Sequence, residues 1–327
     1  MDIELKEKVK VYIEFLYEFK KNMRCDKKEI ASLGALISSE TNESLDFKKV
    51  KEIRKYIKGK TKFNSPFRGK FSKVFSTIMN DREDYKEVFN NTRYIYDMLL
   101  LEGITPCQKL IYASFLLSKR VKEDELKDSL ERFKKILSKV SEIDNLNDFK
   151  KDYLLISYLS LMQDSFIDIY ENVKLIDKCF DLANIKDVSD SELFYYTLLI
   201  SEEDPSKLEG ELLESKIEKA LRIKCLLMRD DVSFDNYIYA LIGLASNFIK
   251  DEDVFVKGVN SIYNTLSESK RYRKFKVNET QTFKTALNIV LERYVEYIKG
   301  DIIDIEFNSE SYIRIIEEYV MLSIGIK

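Results

Sequence analysis

The feature that most restricts this chain is where it places proline. There are three prolines in 327 residues, and each directly follows a residue of helix-capping type: Ser65-Pro66, Thr105-Pro106 and Asp204-Pro205. Proline has no amide hydrogen, so a helix tolerates it in the first turn and excludes it from the interior. No proline falls inside a periodic segment, which predicts helices throughout. Glycine is also scarce, at 9 residues, while charged residues make up 34%. An all-β fold would need turn residues about every 8–12 positions. The chain reads as long helices joined by short polar connectors.

Periodicity agrees. Over residues 2–22, Ile3, Val9, Tyr12, Ile13, Leu16 and Phe19 recur at spacings of three and four, as an amphipathic helix requires. Further helices are predicted over 28–39 and 45–59, the latter stopped by Gly59 in the position after the helix. From Pro66 onward two helix types alternate. Short apolar segments cover 110–117, 153–162, 193–200 and 237–245. Longer amphipathic ones cover 123–140, 165–183, 206–228 and 253–266. A helix apolar all round is buried, and an amphipathic one faces water on one side. The unit recurs at roughly forty residues, the range of helical-repeat arrays. The segment D-V-S-D-S-E-L-F-Y-Y at 187–196 aligns with D-V-S-F-D-N-Y-I-Y-A at 231–240. The expected fold is all-α, with antiparallel hairpins stacked as a right-handed α-α superhelix. It forms a single domain over 1–327, with N-terminal helices at 1–60, roughly six helix pairs over 61–300 and a capping helix in 301–327, at Tyr312–Ile324.

Composition narrows the function classes. Histidine is absent and the four cysteines, Cys25, Cys107, Cys179 and Cys225, form no CxxC pair. The usual zinc ligand sets cannot be assembled from these. The cysteines read as free, mostly buried thiols of a reducing compartment. No Walker loop, G-x-G-x-x-G or G-x-S-x-G occurs, so no cofactor and no metal are expected, and no catalytic residues stand out. Whether the protein is an enzyme stays open, with a non-catalytic role favoured. The net charge of −3 gives no global pull toward nucleic acid or anionic membrane. No run reaches the roughly 18 apolar residues of a membrane span, and the N-terminus shows no apolar signal core. A soluble cytoplasmic protein is expected. Acidic clusters at 81–84, 123–125, 202–204 and 251–253 fall at helix starts, where carboxylates cap free amides.

One stretch reverses the local sign. Lys55 to Lys73 carries seven basic residues and no acidic one. With Ser65 as N-cap and Pro66 at the first helical position, Arg68 would fall at N3, beside free amides. Lys62 and Lys70 flank it. Ser65, Arg68, Lys70 and Lys62 are therefore a candidate site for a phosphate- or carboxylate-bearing small molecule. Phe63, Phe67, Phe71 and Phe75 recur every four residues and are expected to form an inward seam. The competing reading is a core helix with a solvated flank and Arg68 paired to an acid. A second basic run holds Lys270, Arg271, Arg273, Lys274 and Lys276, interleaved with Tyr272 and Phe275. It could track a nucleic-acid backbone. Basic residues after a helix C-terminus are also favoured without any ligand, so nucleic acid is not the expected partner.

The K-Y-I-K at Lys55, the F-N-S-P-F-R-G core at Phe63–Gly69, and E-G-I-T-P-C leading into I-Y-A-S-F-L-L resemble a bacterial domain-of-unknown-function family, number 4003. The E-L-F-Y-Y-T-L-L-I-S segment at Glu192 is similar to a later block of that family. The resemblance covers nearly the whole chain. It implies a cytoplasmic protein of unassigned activity and supplies no catalytic residues. The leading expectation is a scaffold that binds an unknown protein or peptide on the concave face of its array, with no membrane and an open oligomeric state.

Overall fold

The computed structural model describes residues 3–121, 123–140, 152–161, 171, 174 and 210–299. All of the helix expected over 165–183 except residues 171 and 174, the helix expected over 193–200, the start of that over 206–228, Pro205, Cys179, the copy of the internal match at 187–196 and the cap in 301–327 lie outside the described residues. The described regular structure is all helical, with no strand among the described residues. Along the chain come α1 (Ile3–Asn22), α2 (Lys28–Thr41), α3 (Phe47–Lys60), α4 (Lys70–Ile78), α5 (Tyr85–Leu101) and α6 (Gln108–Arg120). A 3-10 turn at Glu123–Glu125 leads into α7 (Leu126–Val140), followed by α8 (Tyr153–Leu161). The later helices are α9 (Gly210–Leu227), α10 (Asn236–Ser246), α11 (Glu252–Glu268), the short α12 (Lys270–Arg273) and α13 (Glu279–Lys299).

The two helix types behave as their patterns require. The residues of α8 are buried from Tyr153 to Ser160, and those of α10 from Ala240 to Ser246. Before α8, amphipathic α7 turns Leu130, Phe133 and Ile136 inward. Carboxylates cap the starts: Asp46 accepts from the amides of Lys48 and Lys49, Asp235 from Ile238, and Asp251 from Val254. Sequence neighbours pack as hairpins, α1 on α2, α5 on α6, α9 on α10 and α11 on α13.

One set of contacts has no place in a linear stack, where each repeat touches only its neighbours. Helix α1 also packs on α11 and α13, and α2 packs on α13. Lys8 Nζ meets Glu296 Oε1 at 2.5 Å. The Tyr17 hydroxyl donates to the Arg271 carbonyl at 3.0 Å. Arg293 pairs with Glu4, and Lys28 Nζ donates to the Lys276 carbonyl. The first two helices thus pack against the last described ones.

The structure departs from local expectations at five points. Gly59 lies inside α3, which runs on to Lys60 and ends at Thr61 in extended backbone. Pro66 opens no helix: the Arg68 amide donates to the Ser65 carbonyl at 3.0 Å, closing a turn with Pro66 at its second position. Gly69, at φ 68, then redirects the chain and takes the cap position of α4, a conformation that glycine adopts without strain. Phe67, Phe71 and Phe75 are buried as expected, but Phe63 is 91% exposed, because the turn separates it from the helical register. Pro106 likewise stands outside α6, whose cap is Cys107. Finally, Cys25, Cys107 and Cys225 are free but exposed, where buried thiols were expected; small size alone does not put a thiol in the core.

Candidate functional site

The basic stretch around Arg68 resolves into separate partners. The last carbonyls of α3 have no intrahelical donors, and arginines supply them. Arg68 donates Nη2 to the Lys58 carbonyl at 2.6 Å and also to the Thr61 carbonyl, and Nε to Thr61 Oγ1 at 3.0 Å. Arg93 donates to the Lys60 carbonyl at 3.2 Å. A cation here also meets the negative end of the helix dipole. Arg68 therefore has a structural partner, but the partner is a helix end and no acid. Its Nη1 faces no acceptor among the described residues. Lys73 points elsewhere, to Asp26 at 3.0 Å, which Arg54 also grips at 2.7 Å while donating Nε to Ser76 at 2.8 Å. Burial raises the pKa of Asp26, and Arg54 and then Lys73 outweigh it, so the carboxyl ends below its usual range.

Beside this turn lies a cleft of about 440 Å³ between the starts of α4 and α6. Arg68 and Lys70 line it; Ser65 and Lys62 do not. Ser65 instead accepts from the Phe67 amide at 3.3 Å. Pro66, Phe71, Pro106 and Ile111 form the apolar walls. Tyr96, Cys107 and Gln108 complete the lining, and none of these three stood out in the sequence. The cap residues are poor hydrogen-bond acceptors. Gly69 offers α4 no side chain, and Cys107 Sγ accepts from Leu110 N at 3.4 Å, a weak sulfur acceptor. Tyr96 is only 5% exposed, its ring packed on Phe67 at 5.1 Å. Its hydroxyl has no hydrogen-bond partner among the described residues. Burial pushes its pKa up, with Cys107 and Asp97 adding to the shift, so the hydroxyl stays a donor.

A second concavity, about 480 Å³, runs between α5 and α7. Its floor is apolar, with Met98, Leu99, Leu126 and Leu130, and half-exposed Tyr94 stands at its edge. The rim carries Lys127 and a cluster in which Lys134 pairs with Glu131 at 2.6 Å and Glu102 at 3.3 Å.

The run at 270–276 has its basic side chains exposed, but its aromatics are engaged. Tyr272 is buried against Tyr12, with ring centroids 6.4 Å apart, and Phe275 meets Tyr17 edge-on at 4.7 Å. Arg271 lies 4.8 Å over the Tyr17 ring. These rings dock α1 and are not offered to bases. Among the described residues no cluster of three His, Cys, Asp or Glu could hold a metal ion, and no described helix is long and apolar enough to cross a membrane.

A family model described as Protein of unknown function (DUF4003) matches residues 16–320. No curated protein and no solved structure matches the chain.

Proposed function

The chain belongs to this family of proteins of unknown function, and we propose that it is a non-catalytic binding protein whose α5–α7 groove receives an amphipathic helix of a protein partner. One observation carries the reading: an apolar floor of Met98, Leu99, Leu126 and Leu130 left open between two helices, with charges confined to the rim. A helix laid in such a groove buries side chains at helical spacing on the floor and meets the rim with its polar flanks. The rim suits a partner of mixed charge, since Lys134 is already paired with both glutamates. The repeat pattern of the sequence supports a scaffold, and the three exposed unpaired thiols support a reducing compartment such as the cytoplasm.

The test is site-specific photo-crosslinking in cells. A photoreactive residue at Tyr94 or Lys127 is expected to capture one common partner, and Met98→Asp in the same chain to abolish the capture. Probes at Phe63 and Val254, exposed and outside the groove, serve as controls. Equal capture at all four positions overturns the reading.

A further inference from the structure

We propose that the basic runs at 20–28 and 270–276, which the fold joins into one face, bind the phosphate backbone of double-stranded DNA without reading its sequence. This face is separate from the α5–α7 groove. The runs stand near opposite ends of the described chain, and the packing of α1 and α2 on the last helices brings them together. Lys28 Nζ donates to the Lys276 carbonyl, and the Tyr17 hydroxyl donates to the Arg271 carbonyl at 3.0 Å. Lys21 follows Tyr17 by four residues and so shares its face of α1. Tyr272 and Phe275 turn inward onto Tyr12 and Tyr17, which leaves the cations between them facing outward. Lys21, Arg24 and Lys27 on one side, and Lys270, Arg273, Lys274 and Lys276 on the other, are all exposed. None of these side chains has an ion pair, hydrogen bond or ring contact among the described residues. Arg271 differs, with Glu14 at 3.9 Å and the Tyr17 ring beneath it. The one carboxylate within either run, Asp26, is buried and held by Arg54 and Lys73. In a chain of net charge −3, such a face is a local exception that orients an approaching polyanion.

The partner class follows from what the face lacks. A single strand is held by stacking its bases on aromatic rings, and Tyr272 and Phe275 are taken up by α1. A membrane-surface element sets basic residues beside exposed apolar ones, and none of the large apolar side chains exposed among the described residues falls in either run. RNA is told from DNA through its 2′-hydroxyls. Asn22, the one side-chain amide in the two runs, already donates to the Glu18 carbonyl at 3.0 Å. What remains is a fixed array of point charges. It matches a duplex that carries one negative charge per about 1.7 Å of its axis. Contact of this kind draws its free energy from released counterions and specifies no base.

The full chain is titrated against a fluorescein-labelled DNA duplex of mixed sequence, and anisotropy is read over a series of salt concentrations. Affinity is expected in the non-specific range of about 10⁻⁴–10⁻⁶ M near physiological salt, with log K falling against log[salt] at a slope between about −3 and −6. A duplex of unrelated sequence should bind equally well. The triple variants Lys21→Gln/Arg24→Gln/Lys27→Gln and Lys270→Gln/Arg273→Gln/Lys274→Gln each remove three exposed cations without partners, so circular dichroism should stay native. Each should weaken binding about tenfold and flatten the slope by about 2–3. The same charge change at exposed Lys86, Lys127 and Lys135, on α5 and α7, is the control and should leave affinity within about twofold, because charges away from the contact are screened. Absence of saturable duplex binding at the lowest salt overturns the proposal. A loss in only one of the two face variants overturns the joined face, and an equal loss in the control overturns the assigned residues. Tighter binding of single-stranded DNA, of duplex RNA, of phosphatidylserine vesicles or of polyglutamate overturns duplex DNA as the partner.

Discussion

At the scale of single residues, two charged side chains are held by contrasting means. Arg68 neutralises the C-terminal end of α3 through carbonyls. Losing a charged donor to a helix end costs about 1–3 kcal/mol. Arg68→Ala is therefore expected to lower unfolding stability by roughly 2 kcal/mol in urea melts. Lysine, with one point charge and no planar fork, should restore less than half of that. Asp26 is a carboxylate sealed between Arg54 and Lys73. Its folded pKa lies below its usual 3.8. A depressed carboxylate pKa contributes stability that is complete above the unfolded value and is lost as pH falls through the folded one. The wild-type chain should therefore lose stability steeply below about pH 4, and Asp26→Asn should flatten that limb. At neutral pH the same substitution leaves the partly exposed Arg54 beside a neutral group, at a cost of about 2 kcal/mol. Thermal melts of both proteins from acid to neutral pH check both parts.

At the scale of elements, the tightest join is between α1 and α2. Gly34, inside α2, faces the ring of Phe19, and a Cβ there would overlap that ring. Phe19 is itself 1% exposed, so it has nowhere to retreat. Alanine improves helix propensity by up to about 1 kcal/mol, yet overpacking a closed core costs about 1–3 kcal/mol. Gly34→Ala should therefore destabilise on balance, by calorimetry, where the same change at Gly59, with nothing near its Cβ position, should stabilise slightly. Element existence was largely legible in the sequence: apolar spacing placed α1, α2, α6, α8, α10 and α11 to within a few residues. The turn at 61–69 was not. Serine followed by proline opens a helix and occupies the second position of a turn equally well. Only the positive φ of Gly69 separates the two. Of the four residues that the sequence suggested for an anion, Arg68 and Lys70 line one cleft, and Ser65 and Lys62 do not. Tyr96 and Cys107, which line the same cleft, could not be read from the sequence, since that shared wall arises only when α5 and α6 meet the turn.

At the scale of the whole molecule, the described chain joins its two ends. Tyr12 donates to Ser32 at 3.0 Å inside the first hairpin and packs on Tyr272 from the last third of the chain. Burial pushes the Tyr272 phenol up to about 12, so it remains neutral in this apolar setting at any physiological pH. Around it, Tyr17 meets Phe275 and Arg271, and Lys8 meets Glu296. In an open array, a lesion weakens its own repeat and the next ones along the chain. Where the ends pack together, a lesion at one end must also reach the other, because α1 buries the same surface. Tyr272→Ala tests this directly. Truncating so buried an aromatic costs about 3–5 kcal/mol, and hydrogen exchange reads where that loss appears. Amides of α1 and α2 are expected to exchange faster together with those of α11 and α13, while α5 and α6, which pack on each other, keep their protection. Faster exchange confined to α10–α13 would mean that the contacts between the ends contribute no stability, and that the first hairpin stands on its own packing with α4.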